Sequence, residues 1–194
     1  MKNPSFNRAD FYSIIKSRRS VRVYKKKPVP EKLIEKLIEA ATWAPSGKNL
    51  QNWRFFILTG KKKEDYLKLS QKSWLSIKGV LVKKLKPSLY EFTERFFYTL
   101  GEAPVLIFAY SKPNPEELHQ TSLGSVYMSV QNLLLAAHYE GLGTCVMGAP
   151  LEIKDEVNEF LQVKEMDLIC GITLGYPDHE PPAAERRKDH VKFF

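Results

Sequence analysis

The 194-residue chain has little of what marks several large classes of protein. Its two cysteines, Cys145 and Cys170, do not form a CxxC pair, so neither a disulfide-rich scaffold nor a zinc finger fits. No apolar run approaches the roughly 18 residues of a membrane-spanning helix, and the N-terminus lacks the apolar core of a signal peptide. The four histidines show no HxxxH or HxH spacing. We therefore expect a cytoplasmic protein without a bound metal ion.

Two common phosphate-binding motifs are also absent, because the chain contains neither GxGxxG nor GxxxxGK[ST]. What is present is the composition of a packed domain, with 43% hydrophobic and 27% charged residues. Basic residues exceed acidic residues by 30 to 22, which gives a net charge of +8. This surplus leaves nucleic acid, an acidic membrane surface or a phosphorylated ligand open as partners.

The hydrophobic pattern predicts helices and strands that mix without strict β-α-β alternation. Predicted helices cover residues 9–17, 31–44, 61–73, 122–140 and 151–161, with one or two more around Pro87 within 74–102. Predicted strands cover residues 52–59, 103–110, 144–147 and 167–175. The helix at 122–140 is the longest candidate, and it is apolar enough to be mostly buried. From residue 176 the chain is rich in proline and basic residues, and its apolar end at 191–194 suggests that the tail docks on a second subunit.

The first segment with a chemical signal contains Arg18, Arg19, Ser20 and Arg22. Three of the chain's eight arginines lie within these five positions. The planar guanidinium fork suits phosphate oxygens, and a serine hydroxyl adds a neutral donor. If residues 20–24 are extended, Ser20 and Arg22 point to one side. A solvated basic loop or a nucleic-acid contact remains the alternative interpretation.

Three further segments are weaker signals when each is taken alone. In residues 44–55, Ser46, Asn49 and Gln51 offer donors and acceptors that suit a heteroaromatic ring, although the same residues form ordinary turns. Residues 141–150 are small enough to let a flat ligand approach the backbone, or they are a helix end that enters a core strand. Arg186 and Arg187 are a second cationic clamp on a phosphate or part of a solvated tail.

Together these segments resemble the FMN-dependent nitroreductase family over nearly the whole chain. The resemblance rests on RRSVRVY (18–24), APSGKNLQNWRF (44–55), SVQNLLLAAHYEGLGTCVMG (129–148) and GITLGYPDHEPPAAERRK (171–188). The chain departs from the family pattern at Asn52, where proline is usual, at Val146, where many members have tryptophan, and at Glu185, where others have lysine. Residues 74–100 match no family signature, and the corresponding region shapes the substrate pocket in this family.

The resemblance implies a cofactor site for FMN in which each segment has a role. The implied contacts are Arg18, Arg19, Ser20 and Arg22 along the ribityl phosphate and pyrimidine edge, Pro45, Ser46, Gly47 and Asn49 over the isoalloxazine from the other subunit, Met147 and Gly148 near N5 and O4, and Arg186 and Arg187 at the phosphate. No side chain is assigned as a catalytic acid, base or nucleophile, because the chemistry belongs mainly to the flavin.

The implied fold is an α+β three-layer sandwich, in which helices flank a central, mostly antiparallel sheet and two chains form an interleaved homodimer. We expect a single domain over residues 1–194, with 176–194 an extension that docks on the partner subunit. The implied activity passes a hydride from NADH or NADPH through flavin N5 to a small acceptor, such as a nitroaromatic or a quinone, by a ping-pong mechanism. Alternatives are a reductive dehalogenase or an enone reductase on the same fold. A basic nucleic-acid-binding module is disfavoured because no RNP, helix-turn-helix or zinc motif accompanies the lysines.

Overall fold

The computed structural model describes residues 8–115, 118–187 and 189–194. Its α-helices are α1 (Arg8–Ser17), α2 (Glu31–Thr42), α3 (Gly60–Leu81), α4 (Pro87–Thr99), α5 (His119–Tyr139) and α6 (Lys154–Leu161). Its strands are β1 (Trp53–Thr59), β2 (Val105–Ser111), β3 (Gly143–Met147) and β4 (Asp167–Gly175). Short 3-10 turns occur at Gly47–Asn49, Leu100–Glu102 and Ala149–Ile153.

The four strands form one antiparallel sheet in the order β1-β2-β4-β3. One line of paired residues crosses the sheet from Phe56 through Phe108 and Gly171 to Met147. Every residue of β2 is buried, as expected for a strand that is covered on both faces. The predicted antiparallel sheet is confirmed.

Helices cover both faces of this sheet, so the architecture has the three layers that the resemblance implied. On one face, Leu37 of α2 and Leu133 of α5 pack in the same cluster as Ile172 of β4. On the other face, Trp74 of α3 and Val157 of α6 pack in a second cluster. Apolar burial on both faces is the main contribution to the stability of such a layered fold.

The largest difference from the sequence prediction is the length of α3, which continues to Leu81 instead of ending near residue 73. Trp74 is fully buried at the point where the predicted helix stops. Its ring stacks on Phe97 of α4 at 5.7 Å, and its Nε1 donates to Glu94 at 2.9 Å. This contact between helices extends α3 beyond its periodic segment. The helix α3 is therefore one residue longer than α5, and the prediction that the longest helix lies at 122–140 is wrong.

After β4, the described part of the tail contains no helix or strand. Its start is attached to the body, because Lys25 N donates to Tyr176 O at 2.9 Å and Asp178 N donates to Val23 O at 3.1 Å. Phe193 and Phe194, at its end, are fully exposed in the single protomer. Within the described residues, no helix is long and apolar enough to cross a bilayer.

Candidate functional site

The basic segment that follows α1 runs along the outer edge of β3. Ser20 forms a parallel bridge with Thr144, and Val21 N donates to Thr144 O at 2.9 Å. Val21 packs so tightly on Gly143 that a Cβ added to that glycine would lie 2.6 Å from Val21 Cγ2. A glycine at the start of β3 therefore allows the segment to lie against the strand and brings Ser20 and its neighbours to the sheet edge.

Tyr24 anchors the far end of the same segment. Its backbone N donates to Gly101 O at 2.8 Å, and its hydroxyl lies 2.8 Å from Thr173 Oγ1 on β4. Burial raises the pKa of Tyr24 far above its ordinary value, so the phenol stays protonated and can donate to Val21 O. The segment is thus held at both ends, which fixes the position of Arg22 between them.

Three arginines from two distant parts of the sequence, Arg18 and Arg22 in the basic segment and Arg186 in the tail, converge on this edge. The pKa of Arg18 is lowered by burial first, then by the guanidinium of Arg186 and then by that of Arg19. Burial raises the pKa of the Cys145 thiol on β3, and the nearby Arg22 and Arg18 oppose that rise. No carboxylate forms an ion pair with Arg18, Arg22 or Arg186 anywhere in residues 8–115, 118–187 and 189–194. The result is a cluster of positive charge at the edge of β3, called the arginine cluster below. Asp178 and Glu180 line a cavity beside Arg18 but form no ion pair with it.

Arg19 is used differently from the other arginines of its motif. Its guanidinium donates to Lys16 O at 2.6 Å and to Arg18 O at 2.8 Å, so it satisfies carbonyls at the end of α1. Its Nε is buried without a hydrogen-bond partner among the described residues. In the single protomer, Arg19 therefore supports the backbone from which Arg18 projects, and its predicted contact with a cofactor stays a prediction.

A cavity of about 420 Å³ opens beside Arg18, between the C-terminal ends of α1 and α5. Ser17 Oγ and His138 Nε2 lie 2.7 Å apart in its wall and join the two helices. The pKa of His138 is lowered chiefly by burial and then by Arg18, while Glu180 acts in the opposite direction. At neutral pH this imidazole is therefore uncharged, which avoids a further positive charge next to Arg18.

The end of β3 presents an accessible backbone. Met147 is buried, but Gly148 is exposed, and a Cβ added to Gly148 would meet no atom within 4 Å. Gly148 lies three residues from Cys145, or about 10 Å along an extended strand. The arginine cluster and the open backbone therefore lie along one strand edge.

The other predicted ring-contacting segment is the loop of residues 46–51, called the 46–51 loop below. Lys48, Asn49 and Gln51 have left-handed φ values of 48°, 55° and 46°. For non-glycine residues this conformation costs roughly 1–2 kcal/mol each, so the loop needs support from its surroundings. Gln51 N donates to Ser46 Oγ at 3.0 Å, and Gly47 N donates to Ser125 Oγ on α5 at 3.4 Å.

The structure does not bring the 46–51 loop to the arginine cluster within one protomer. The loop contacts α5 at Ser125, near the N-terminal end of that helix, whereas the cavity beside Arg18 meets α5 at His138. Thirteen residues of α-helix separate these two contacts, or about 20 Å at 1.5 Å per residue. Within a single chain, the loop that carries Pro45, Ser46, Gly47 and Asn49 therefore meets α5 far from the point at which the cavity beside Arg18 meets it.

Sequence reasoning missed Arg95, which belongs to a stretch without a recognisable motif. Arg95 and Phe92 of α4 line a small cavity of about 120 Å³ together with Arg22. A single arginine on an amphipathic helix does not indicate a binding site in the sequence. Only the packing of α4 places Arg95 in the same cavity as Arg22. Across the described chain, no group of three His, Cys, Asp or Glu side chains is placed to hold a metal ion.

Comparisons with known proteins agree with this fold. Residues 15–176 match the model of the nitroreductase family, and the chain belongs to that family. It is 33% identical to iodotyrosine deiodinase of Thermotoga neapolitana over 190 residues, which cover 94% of this chain and 96% of the relative. It is 28% identical to 4-nitrobenzoate reductase of Nocardioides sp. (strain LMS-CY), with coverage of 90% and 83%. The crystal structure of oxidized iodotyrosine deiodinase bound to FMN and 3-iodo-L-tyrosine superposes with a TM-score of 0.75 at 29% identity, with coverage of 95% and 98%.

Proposed function

We propose that this protein is an FMN-dependent oxidoreductase that uses NADH or NADPH to reduce a small electron acceptor. The observation that carries the proposal is the arginine cluster. Half-buried Arg18 lies beside Arg186, Arg18 and Arg22 both lie near Cys145, and none of the three arginines forms an ion pair with a carboxylate in the described chain. Like charges held together at a partly buried site favour an anionic ligand. A phosphate monoester fits this cluster, because guanidinium groups bind its oxygens in pairs.

The residues at the edge of β3 fit an FMN molecule. Arg18, Ser20 and Arg186 would hold the phosphate, with Arg187 next to them in the tail. When bound, FMN supplies hydride transfer between a nicotinamide and an acceptor. Arg22 would place a fixed positive charge at the ring edge where negative charge develops on reduction. The exposed backbone at Gly148, together with Met147, would let the ring lie close to the chain.

We further propose that the working form is a homodimer, in which the 46–51 loop of one chain completes the site on the other. The separation of about 20 Å within a protomer supports this arrangement, since the two halves cannot contact the same ring in one chain. Large apolar side chains are also exposed in the single protomer, with Trp43 at 79% and Tyr139 at 71%. A subunit interface would cover these side chains.

The tail fits the same dimer. Its apolar residues Val191, Phe193 and Phe194 are exposed in the single protomer, and the partner subunit is the surface that would cover them. Residues 1–194 would then form a single domain with 176–194 as its docking extension. We place the protein in the cytoplasm, acting on small molecules and not on nucleic acid or membranes.

The test is to purify the protein, add FMN and measure binding by quenching of flavin fluorescence. NADH and NADPH should each be tried for anaerobic bleaching of the bound flavin, followed by steady-state assays with nitroaromatic and quinone acceptors. Parallel lines in double-reciprocal plots are expected for a ping-pong cycle. A protein that takes up no FMN, or whose bound flavin neither nicotinamide reduces, would overturn the proposal.

A second candidate function is reductive dehalogenation, which the 33% identity to an iodotyrosine deiodinase favours. The assay is iodide release from 3-iodo-L-tyrosine by the reduced protein, run beside reduction of 4-nitrobenzoate. The faster reaction, compared by kcat/KM, decides between the two candidates.

A further inference from the structure

We propose that Asn52 is a positioning residue that holds the 46–51 loop in the conformation required to cover the flavin of the partner subunit's site. The covering role of the loop rests on the proposed function above. The holding role of Asn52 rests on contacts within the protomer and is tested separately.

Asn52 lies at the centre of a buried polar cluster that joins three elements. Asn52, Ser111 and Ser122 are 4%, 3% and 6% exposed. The Asn52 Nδ2 donates to Ser111 Oγ at 2.9 Å, to Ser122 O at 3.2 Å and also to Ser122 Oγ. Ser111 is the last residue of β2 and Ser122 lies in the first turn of α5, so one amide ties the end of the loop to a strand and a helix.

The same part of α5 holds the other end of the loop. Ser125 lies three residues after Ser122, on the same side of the helix, and its Oγ accepts from Gly47 N at 3.4 Å. Between these two attachments, Lys48, Asn49 and Gln51 keep left-handed backbone angles. Strained residues keep such a conformation only where the surrounding structure fixes the ends of the segment. Gln51 directly precedes Asn52, so the amide anchor acts next to a strained residue.

The amide of Asn52 is poorly suited to a role in stability alone. Its Oδ1 is buried and has no hydrogen-bond partner in the described residues. A buried acceptor without a donor lowers stability relative to an apolar group of similar shape. Ser111 Oγ and Ser122 Oγ lie 2.8 Å apart and can bond to each other without the amide. Replacing Asn52 by leucine therefore removes the anchor and leaves neither hydroxyl unpaired.

These contacts predict that Asn52→Leu makes the 46–51 loop more mobile without lowering the stability of the fold. In the FMN-free protein, hydrogen exchange at the amides of residues 47–51 should become roughly tenfold faster. The thermal midpoint should stay unchanged or rise. After addition of FMN, the dissociation constant should rise roughly tenfold, because a mobile loop must be ordered on binding.

The matched variants separate position from packing. Ser129→Ala removes a fully buried hydroxyl from the same helix. Among the described residues that hydroxyl donates to Val126 O at 2.8 Å and to no part of the loop, so loop exchange and FMN affinity should not change. Ser122→Ala should reproduce part of the loosening, and Ser122→Thr, which keeps the hydroxyl, should restore the exchange rates of the wild type.

The outcomes are distinguishable. If Asn52→Leu lowers the thermal midpoint while exchange in residues 47–51 is unchanged, Asn52 is merely structural and the inference is wrong. If exchange rises but FMN affinity does not change, the loop does not cover the flavin and that half of the inference is wrong. If the wild-type protein binds no FMN, the proposed function fails, and the exchange experiment still decides whether Asn52 holds the loop.

Discussion

At the scale of single residues, the arginines of the basic motif have different physical roles although they are adjacent in sequence. Arg19 satisfies two carbonyls at the end of α1, whereas Arg18 lies beside Arg186 and Arg22 lies beside Cys145. A guanidinium that bonds to carbonyls is already occupied, while one that faces other guanidiniums retains free donors for an anion. Arg18 is therefore the residue from which a change in cofactor binding is expected first.

Replacing Arg18 by alanine should weaken FMN binding by roughly 10- to 100-fold, which corresponds to the loss of about 1.5–3 kcal/mol for hydrogen bonds to a charged group. Equilibrium titration with FMN measures the change. The control is Lys61→Ala, which removes the same formal charge from α3, where the side chain is 88% exposed and pairs with Asp65. Equal losses in the two variants would mean that net charge, and not the cluster, controls affinity.

At the scale of elements, the Leu100–Glu102 turn decides where the segment that carries Arg22 lies. Gly101 has a φ of 63°, and a Cβ added there would lie 2.0 Å from the backbone oxygen of Arg22. The same glycine accepts a hydrogen bond from Tyr24 N. The turn and the segment are therefore in direct backbone contact, and no larger residue fits between them.

Gly101→Ala should lower the free energy of unfolding by roughly 3 kcal/mol or more, since it combines an unfavourable backbone angle with a backbone clash. Gly60→Ala is the matched control, because Gly60 has a φ of 49° but an added Cβ would meet no atom within 4 Å. It should cost about 1–2 kcal/mol for the backbone angle alone. Urea unfolding of both variants measures the difference, and equal costs would show that the close approach to Arg22 is not maintained in solution.

The contact between α1 and α5 should make stability depend on pH through His138. Its folded-state pKa is lowered, chiefly by burial, so the unfolded chain binds a proton more readily than the folded chain does. Stability should therefore fall as the pH decreases through the ordinary histidine value of about 6.5, and it should be restored as the pH rises.

The measurement is the free energy of unfolding of the wild type and of His138→Gln between about pH 5.5 and 7.5. The wild type should lose stability relative to His138→Gln as the pH falls, because only the wild type has an imidazole that takes up a proton on unfolding at this site. His190→Gln, in the exposed tail, serves as the control. If the wild type and His138→Gln show parallel pH profiles, the imidazole does not titrate differently in the folded state.

At the scale of the whole molecule, the proposed function requires two segments that one chain holds apart to meet at a single site. The arginine cluster lies at the outer edge of β3, and the 46–51 loop lies about 20 Å away along α5. In a two-fold dimer, the loop of one chain can lie against the cluster of the other. The symmetry repeats this contact, so such a dimer would contain two complete sites.

This arrangement predicts complementation between two impaired proteins, assayed at an FMN concentration that loads the wild type but not Arg18→Ala. Arg18→Ala removes the cluster half, and Ser46→Ala with Asn49→Ala removes the polar groups of the loop half. Subunits mixed and reassembled at random should recover about one quarter of wild-type activity, since about half of the dimers are mixed and each has one intact site of two. Activity no higher than the mean of the two parent proteins would show that each site is formed within one chain.

The sequence by itself determined most of the helices and strands, because hydrophobic periodicity depends on near neighbours, whereas their arrangement in three layers followed from the resemblance to a known family. It placed β4 at residues 167–175, as the structure has it, and β1, β2 and β3 to within two residues at each end. Its motifs also indicated that the tail would approach the basic segment, and Arg186 does lie near Arg18.

Only the tertiary structure decided which distant side chains meet. The extension of α3 depends on Trp74 packing against α4, and Arg95 lines a cavity with Arg22 only through the position of α4. The cluster around Asn52 joins this residue to two serines that lie 59 and 70 positions further along the chain. Such contacts leave no local pattern, because burial and hydrogen bonding between separate elements exist only after the layers have packed.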